Sequence, residues 1–448
     1  VKKRLIIGLF AALGLVFWAD NRWSDRDDRD ALFLPGLREP GRLKAVLVPD
    51  FGVFRIQEGL PTGFDYQLLK WFADDAQLKL EITFAPTRLA ALDSIRQGRA
   101  DVACGNILAQ DAVGMRFGVP LWKGPMYWMS YQRESLLPGD TLLALGESPY
   151  NAVLTEWAKA DGRIHVAPSA ASNLFLELLN EPLQRGTQLA VAPKWMALAW
   201  KRKNRRGSLG VLSGAEVAVG WAFRAESVAL EEQISSWLTQ KKSSRRYRHW
   251  FQMHYAQGSL RPASFSISTV DPWAKKWADA KGFYDAPLVL AVAYRESRFK
   301  RLVVSPAGAV GLMQLMPRTG KKFVPKGTDL YHPEGNLRAG INYLHFLDKF
   351  WADRQVPAPD RLYFVLASYN TGPAPVVRAH KRARIKGLDP TRWHGNVETV
   401  LRSPGRRYAR EIAEIANVYR NYWRLNVLPQ PEGFTSPVPD TSLKTGSK

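Results

Sequence analysis

One glutamate stands where a carboxyl group could work as an acid. Residues 286–299, APLVLAVAYRESRF, are almost wholly apolar until Arg295, Glu296 and Ser297. A carboxylate at the end of a buried apolar helix is poorly solvated, so its pKa rises. A glutamic acid still protonated near neutral pH can give its proton to a leaving group. Nine residues further on lies SPAGAVGLMQLMPRTG, residues 305–320. There Gly308 and Gly311 permit close approach of the backbone, and Met313, Gln314 and Met316 share an otherwise apolar run. NLRAGINYL (336–344) and LASYNTGP (366–373) follow. Asp329 and Glu334, in DLYHPEGN, are the carboxylates of that stretch, and neither stands out as a partner for Glu296. The single cysteine, Cys104, cannot form an internal disulfide and excludes every cysteine-based zinc module.

These residues need a scaffold. Asp285 can cap the helix that carries Glu296, and Pro287 suits its first turn. Before it, SLRPASFSISTVDP (259–272) is rich in Ser and Pro and reads as a linker. Earlier still the pattern changes. Residues 43–48 read as a buried strand; Leu68, Leu69, Phe72 and Ala76 recur at helical spacing; Leu78–Phe84 alternates as a strand. A helix over Arg88–Gln97 ends at Gly98, and ADVACGNI gives another strand. Strands alternating with helices predict an α/β unit with a parallel sheet.

The chain has 448 residues, long enough for two or three domains. Sixty-three Lys and Arg against 41 Asp and Glu give a net charge of +22, which favours an anionic partner. KRKNRR (201–206), KKSSRRYRH (241–249) and HKRARIK (380–386) are the candidate footprints, with solvated faces as the plainer reading. Lys2, Lys3 and Arg4 precede an uncharged apolar run, Leu5 to Ala19. Fifteen apolar residues suit a secretory signal better than the ~20 of a bilayer-spanning helix. Residues 1–20 are therefore expected to be a signal peptide or an uncleaved anchor, and an exported protein is not expected to meet nucleic acid. Residues 21–40 read as a charged linker, and 428–448, rich in Pro, Ser and Thr, as a disordered tail.

Two resemblances sharpen this reading. GFDYQLLKWFADD, LAALDSIRQGRADVACGNI, MRFGVPLW and EVAVGWAFRAESVALEEQISSWL resemble the type 3 extracellular solute-binding domain. This implies a two-lobed α/β periplasmic-binding-protein-like domain over 41–258, non-catalytic, that could hold a small ligand or muropeptide. The chain departs from amino-acid-binding members, with no Arg in LAQDAVGM and with Pro193 where an Asp is expected. Ordinary amino-acid binding is therefore not expected, and Phe64, Asp65, Arg88 and Trp122 are the cleft candidates. The ordered motifs ESRF, SPAGAVGLMQLMP, NLRAGINYL and ASYNTG resemble the soluble lytic transglycosylase catalytic domain, parts of which goose-type lysozymes share. This implies a mostly α, lysozyme-like domain over 273–427. Together the parts resemble the membrane-bound lytic murein transglycosylase F family.

The resemblance implies a multidomain, exported enzyme that cleaves the glycan strands of peptidoglycan without hydrolysis. Glu296 stands at the catalytic acid/base position. Ser305 and Gln314 match positions that bond the sugar or place the reacting group, and Met313 matches an apolar wall residue. Tyr369 and Asn370 match the family's A-Y-N-x-G, and Tyr408 is the best match to a C-terminal Tyr, with Glu414 the alternative. No metal or cofactor is implied. Placement in the periplasm, peripheral on the outer membrane, is what the family suggests. The first domain would regulate or position the second. A lysozyme-type hydrolase and a non-catalytic glycan or solute receptor stay open as alternatives.

Overall fold

A computed structural model describes residues 36–425, apart from 51, 58, 110–111, 132, 145–149, 163, 169–188, 257–266 and 283. The expected signal or anchor (1–20), most of the linkers and the C-terminal tail lie outside the described residues. Among the described residues, no helix is long and apolar enough to cross a membrane.

The first unit is built on one mixed sheet. β1 (Arg42–Leu47) lies between β4 (Lys79–Phe84) and β5 (Val102–Leu108), and both pairings are parallel. Between them come the short hairpin β2 (Arg55–Gln57) and β3 (Leu60–Thr62), then α1 (Phe64–Asp75). Gly63 allows the turn into α1: its φ is 136°, and a Cβ there would lie 2.2 Å from the Val53 carbonyl oxygen. α2 (Arg88–Arg96) is capped by Thr87, whose hydroxyl accepts from the Ala90 N–H at 3.2 Å. The buried run of β1, the alternation of β4, the strand ADVACGNI at β5 and the helices at α1 and α2 are thus the elements their sequence predicts.

The sheet is not purely parallel. After the two-residue β6 (Arg116–Phe117), β7 (Trp122–Ser130) runs out of the first lobe. The second lobe holds β8 (Thr141–Ala144), α3 (Tyr150–Asp161), β9 (His165–Pro168), β10 (Leu189–Pro193) and α4 (Lys194–Lys203). β11 (Ser208–Phe223) then runs antiparallel to both β7 and β5 and returns to the first lobe. These two long strands join the lobes, and β11 shifts register against each partner. α5 (Val228–Lys242), α6 (Arg245–Phe251) and a π-turn (Gln252–Ala256) close the unit.

The second unit is helical: α7 (Asp271–Lys281), α8 (Ala286–Ser297), α9 (Pro333–Ala352), α10 (Ala358–Thr371), α11 (Pro373–Ile385) and α12 (Gly405–Arg424). Its core gathers Leu290, Met313, Leu344, Trp351, Phe364, Trp393 and Ile412. Ile267 and Val270, from the end of the Ser/Pro-rich stretch, belong to the same core. There the Asp271 carboxylate accepts from the Ile267 and Ser268 N–H groups at 2.7 and 2.8 Å. The packing therefore begins before residue 273.

α12 serves both units. Its start packs on α8 and α10, and its end reaches the sheet of the first unit. The Asn421 amide donates to the Ile82 carbonyl at 2.7 Å, and the Tyr422 ring lies 5.4 Å from Phe54 and 5.5 Å from Phe84. The Tyr419 hydroxyl donates to the Gly59 carbonyl in the β2–β3 turn. That turn rests on α8: a Cβ on Gly59 would fall 2.2 Å from the Phe299 ring and 2.7 Å from that of Tyr294.

Candidate active site

α8 delivers Glu296. Asp285 caps it by accepting from the Leu288 N–H at 3.2 Å, and residues 286–294 are all buried. The helix stops at Arg298, whose φ of 51° turns the chain away. Glu296 therefore ends an apolar rod, half-buried, and burial raises its pKa. Two contacts pull the other way: the hydrogen bond from Tyr408 and, more weakly, the Arg295 charge.

The Tyr408 hydroxyl donates to Glu296 Oε1 at 2.5 Å, across 112 positions of sequence. Tyr408 is 3% exposed on the first turns of α12. Arg295 lies over its ring, 5.8 Å from the centroid, and donates to Glu411 at 2.8 Å. Arg407 holds the other Glu411 oxygen at 2.6 Å. A carboxylate on α12 thus draws Arg295, whose charge would favour ionised Glu296, into a pairing of its own. Glu414, the alternative to Tyr408, sits further along α12 in the field of Arg410 and Lys70.

The loop 303–316 forms the adjoining wall. Ser305 accepts from the Ala309 N–H at 3.0 Å and so shapes the turn. Gln314 has a φ of 45°, and its amide nitrogen donates to Val303 and Gly311 carbonyls at 3.2 and 2.9 Å. Met313 is fully buried against Gly340. Its N–H donates to Asn336 Oδ1 at 2.7 Å, and its carbonyl accepts from the Tyr369 hydroxyl at 2.7 Å. Tyr369 is buried close enough to Glu296 to feel its charge. Asn370 is exposed at the end of α10.

Glu296, Tyr408, Tyr369 and Met313 are thus brought together, while Ser305 and Gln314 bond mainly within their own loop. Sequence reasoning assigned no role to Asn336 or Glu411. Asn336 is fully buried and also donates to the Val310 and Leu330 carbonyls at 3.0 and 2.8 Å, tying the loop to α9. Its place at the head of the NLRAGINYL motif was the available signal. Asp329 and Glu334 are otherwise engaged: Asp329 accepts from the Tyr331 N–H at 2.8 Å, and Glu334 from Lys276 at 2.7 Å.

The cleft candidates of the first unit divide differently. Phe64 is core, ringed by Tyr247, Phe251 and Tyr255. Arg88 donates to Asp50 at 2.5 Å and to the Gly105 carbonyl at 2.9 Å. Trp122 is half-buried on β7. Asp65 is buried, bonded by Trp221 at 2.7 Å and Tyr255 at 3.3 Å, and burial pushes its pKa up to about 7. The ring of Tyr255 packs between residues of the two lobes. A Cβ on Gly52 would lie 2.2 Å from its ring, its hydroxyl reaches Asn106 at 3.1 Å, and Trp195 of the second lobe packs 4.7 Å away.

Comparison with known proteins places these observations. Residues 273–389 match the family described as transglycosylase SLT domain. A protein of Desulfosudis oleivorans named membrane-bound lytic murein transglycosylase F is 25% identical over 425 residues, 90% of this chain and 90% of its own length. Its namesake in Pectobacterium atrosepticum is 25% identical over 89% of this chain and 84% of its own. Among solved structures, a mutant of ArgBP from T. maritima overlaps 48% of this chain and 96% of its own at 23% identity, with a TM-score of 0.39. The chain thus carries a transglycosylase SLT domain behind a two-lobed α/β unit, and over about nine tenths of its length it is similar to proteins named membrane-bound lytic murein transglycosylase F.

Proposed function

We propose that the protein is a peptidoglycan lytic transglycosylase. The observation that carries this is Glu296 at the end of a buried apolar helix, bonded by Tyr408, inside the region that matches the SLT domain. Burial favours the protonated carboxyl, which is the form needed to begin. Glu296 gives its proton to the oxygen linking N-acetylmuramic acid to the next N-acetylglucosamine, and the bond from that oxygen to muramyl C1 breaks. The neighbouring N-acetyl group stabilises the positive charge on C1. Ionised Glu296, stabilised by the Tyr408 hydroxyl, then takes the proton of the muramyl C6 hydroxyl, whose oxygen closes on C1. The products are a 1,6-anhydromuramyl end and a free hydroxyl, and Glu296 is protonated again.

No water is consumed, so a second carboxylate of the kind hydrolytic glycosidases use is not required. The two-lobed unit takes no part in the chemistry and positions the helical one through α12. The basic flank and apolar run of residues 1–19 and the charge of +22 support export to the compartment that holds peptidoglycan, with peripheral attachment to an anionic membrane. The test is mass spectrometry of material released from purified sacculi. Anhydromuramyl ends, lighter by one water than reducing ends, are expected. Glu296→Gln should lower their yield at least about a hundredfold. Reducing ends, or undiminished yield from Glu296→Gln, would overturn the proposal.

A further inference from the structure

An open cleft of about 470 Å³ lies on the helical unit, between the end of α7, the loop before α9 and α9 itself. Lys281 at the end of α7, Lys322 in the loop before α9, and Arg338 and Lys349 on α9 face into it. No carboxylate lines it. Asp348, the neighbouring acid on α9, is buried and takes the Arg361 guanidinium at 2.7 Å. Among the described residues, none of the four cations is in an ion pair.

The cleft is built and connected. The Asn342 amide donates to the Phe323 carbonyl at 2.7 Å and fixes its floor. Phe323 and Phe346 form one wall, 5.5 Å apart. Both pack on Tyr343, which packs on Tyr369 at 5.4 Å. Tyr369 itself is buried, so the aromatic surface open to a ligand is that of Tyr343, Phe323 and Phe346, between Tyr369 and the cations. Sugar rings pack their apolar faces on aromatic side chains. A cleft of one sign concentrates the opposite charge.

We propose that this cleft is a subsite for the carboxylates of the peptide stems that muramyl residues carry. The inference rests on the glycan-cleaving reading given above. While the stems are attached the glycan backbone is uncharged and they supply the anionic groups; an amidase leaves only the short lactyl carboxylate on each muramyl residue, in place of the several carboxylates that a stem carries further out. A strand held at Glu296 and lying over Tyr343 and Phe346 would set a stem, one or more sugars away from the bond to be cut, among Lys281, Lys322, Arg338 and Lys349. The subsite makes the enzyme prefer strands that still bear stems over strands from which an amidase has removed them.

The test is a binding comparison with the full chain carrying Glu296→Gln, so that strands are not consumed. Fluorescent soluble glycan strands, stem-bearing or amidase-denuded, are titrated by anisotropy. Stem-bearing strands should bind about tenfold more tightly, a difference of about 1.4 kcal/mol, and the difference should shrink as salt rises. Lys322→Ala with Lys349→Ala should bring the stem-bearing Kd to that of denuded strands, and Arg at both positions should restore the preference. Equal affinities in the parent, no binding of either strand, or a preference that survives the double alanine variant would overturn the proposal. Wild-type product analysis separates the two readings. Anhydromuramyl ends together with equal affinities would remove the subsite alone; absence of such ends would remove the catalytic reading whatever the affinities.

Discussion

Glu296 has two partners with opposite leverage on its proton. Burial favours the protonated carboxyl, while Tyr408 favours the ionised form by donating to it. The free enzyme needs the protonated form, so the alkaline limb of the kcat/KM profile reports this pKa and should lie above the ordinary Glu range. Tyr408→Phe removes the donor. The folded pKa then rises further, and the alkaline limb moves to higher pH while activity falls about tenfold or more, because the second half of the reaction needs the carboxylate. A pH–rate series on both proteins checks this; a limb that moves to lower pH would reverse the role given to Tyr408. Glu296 could be singled out from sequence because its apolar run is local. Its contact with Tyr408 could not be measured there, since it depends on α12 folding back from 112 positions away. Glu411 was invisible for the same reason: a Glu on an exposed helix face has meaning only beside Arg295 and Arg407.

At the scale of elements, the site depends on how closely the 303–316 loop meets α9. Gly340 is the point of contact, with Met313 packed where a side chain would be. A Cβ there would fall 2.1 Å from the Met313 sulfur and 3.1 Å from its Cβ. In an exposed helix Gly→Ala gains about 1 kcal/mol. Overpacking costs about 1 to 3 kcal/mol, and at this position it should win. Gly340→Ala is expected to lower Tm and to reduce kcat/KM about tenfold by displacing the Met313 carbonyl that Tyr369 holds; thermal melts with kinetics decide it, and a stabilised, fully active variant would refute it. The motif containing Gly340 was readable from the sequence. The need for no side chain at that position was not, because it comes from a loop 27 residues earlier. In the first unit, β1 and β5 were readable as buried runs and β4 by alternation, whereas antiparallel β7 and β11 had no such signal. Both pass between lobes, so their buried faces change along their length and no single period survives.

At the scale of the whole molecule, the two units share an interface made by α12 and the β2–β3 turn. Tyr422 is 1% exposed between Phe54 and Phe84 and belongs to the core of the first unit, although Tyr408 on the same helix completes the site of the second. Removing a buried aromatic ring costs about 3 to 5 kcal/mol. Tyr422→Ala is therefore expected to split one calorimetric transition into two, with the first unit melting earlier. A single transition displaced as a whole would show that the units are held together elsewhere.

The position of α12 in the chain has a consequence for biosynthesis. It is the last described helix, and it completes both units at once. While the ribosome is still making residues 405–424, Glu296 already exists on α8 but has no Tyr408 to support it, and the Phe54–Phe84 face is still bare. A nascent or truncated chain can therefore hold most of its helices without a finished proton-transfer site. Competence to cut arrives with the final turns, after the whole of the two-lobed unit has been made.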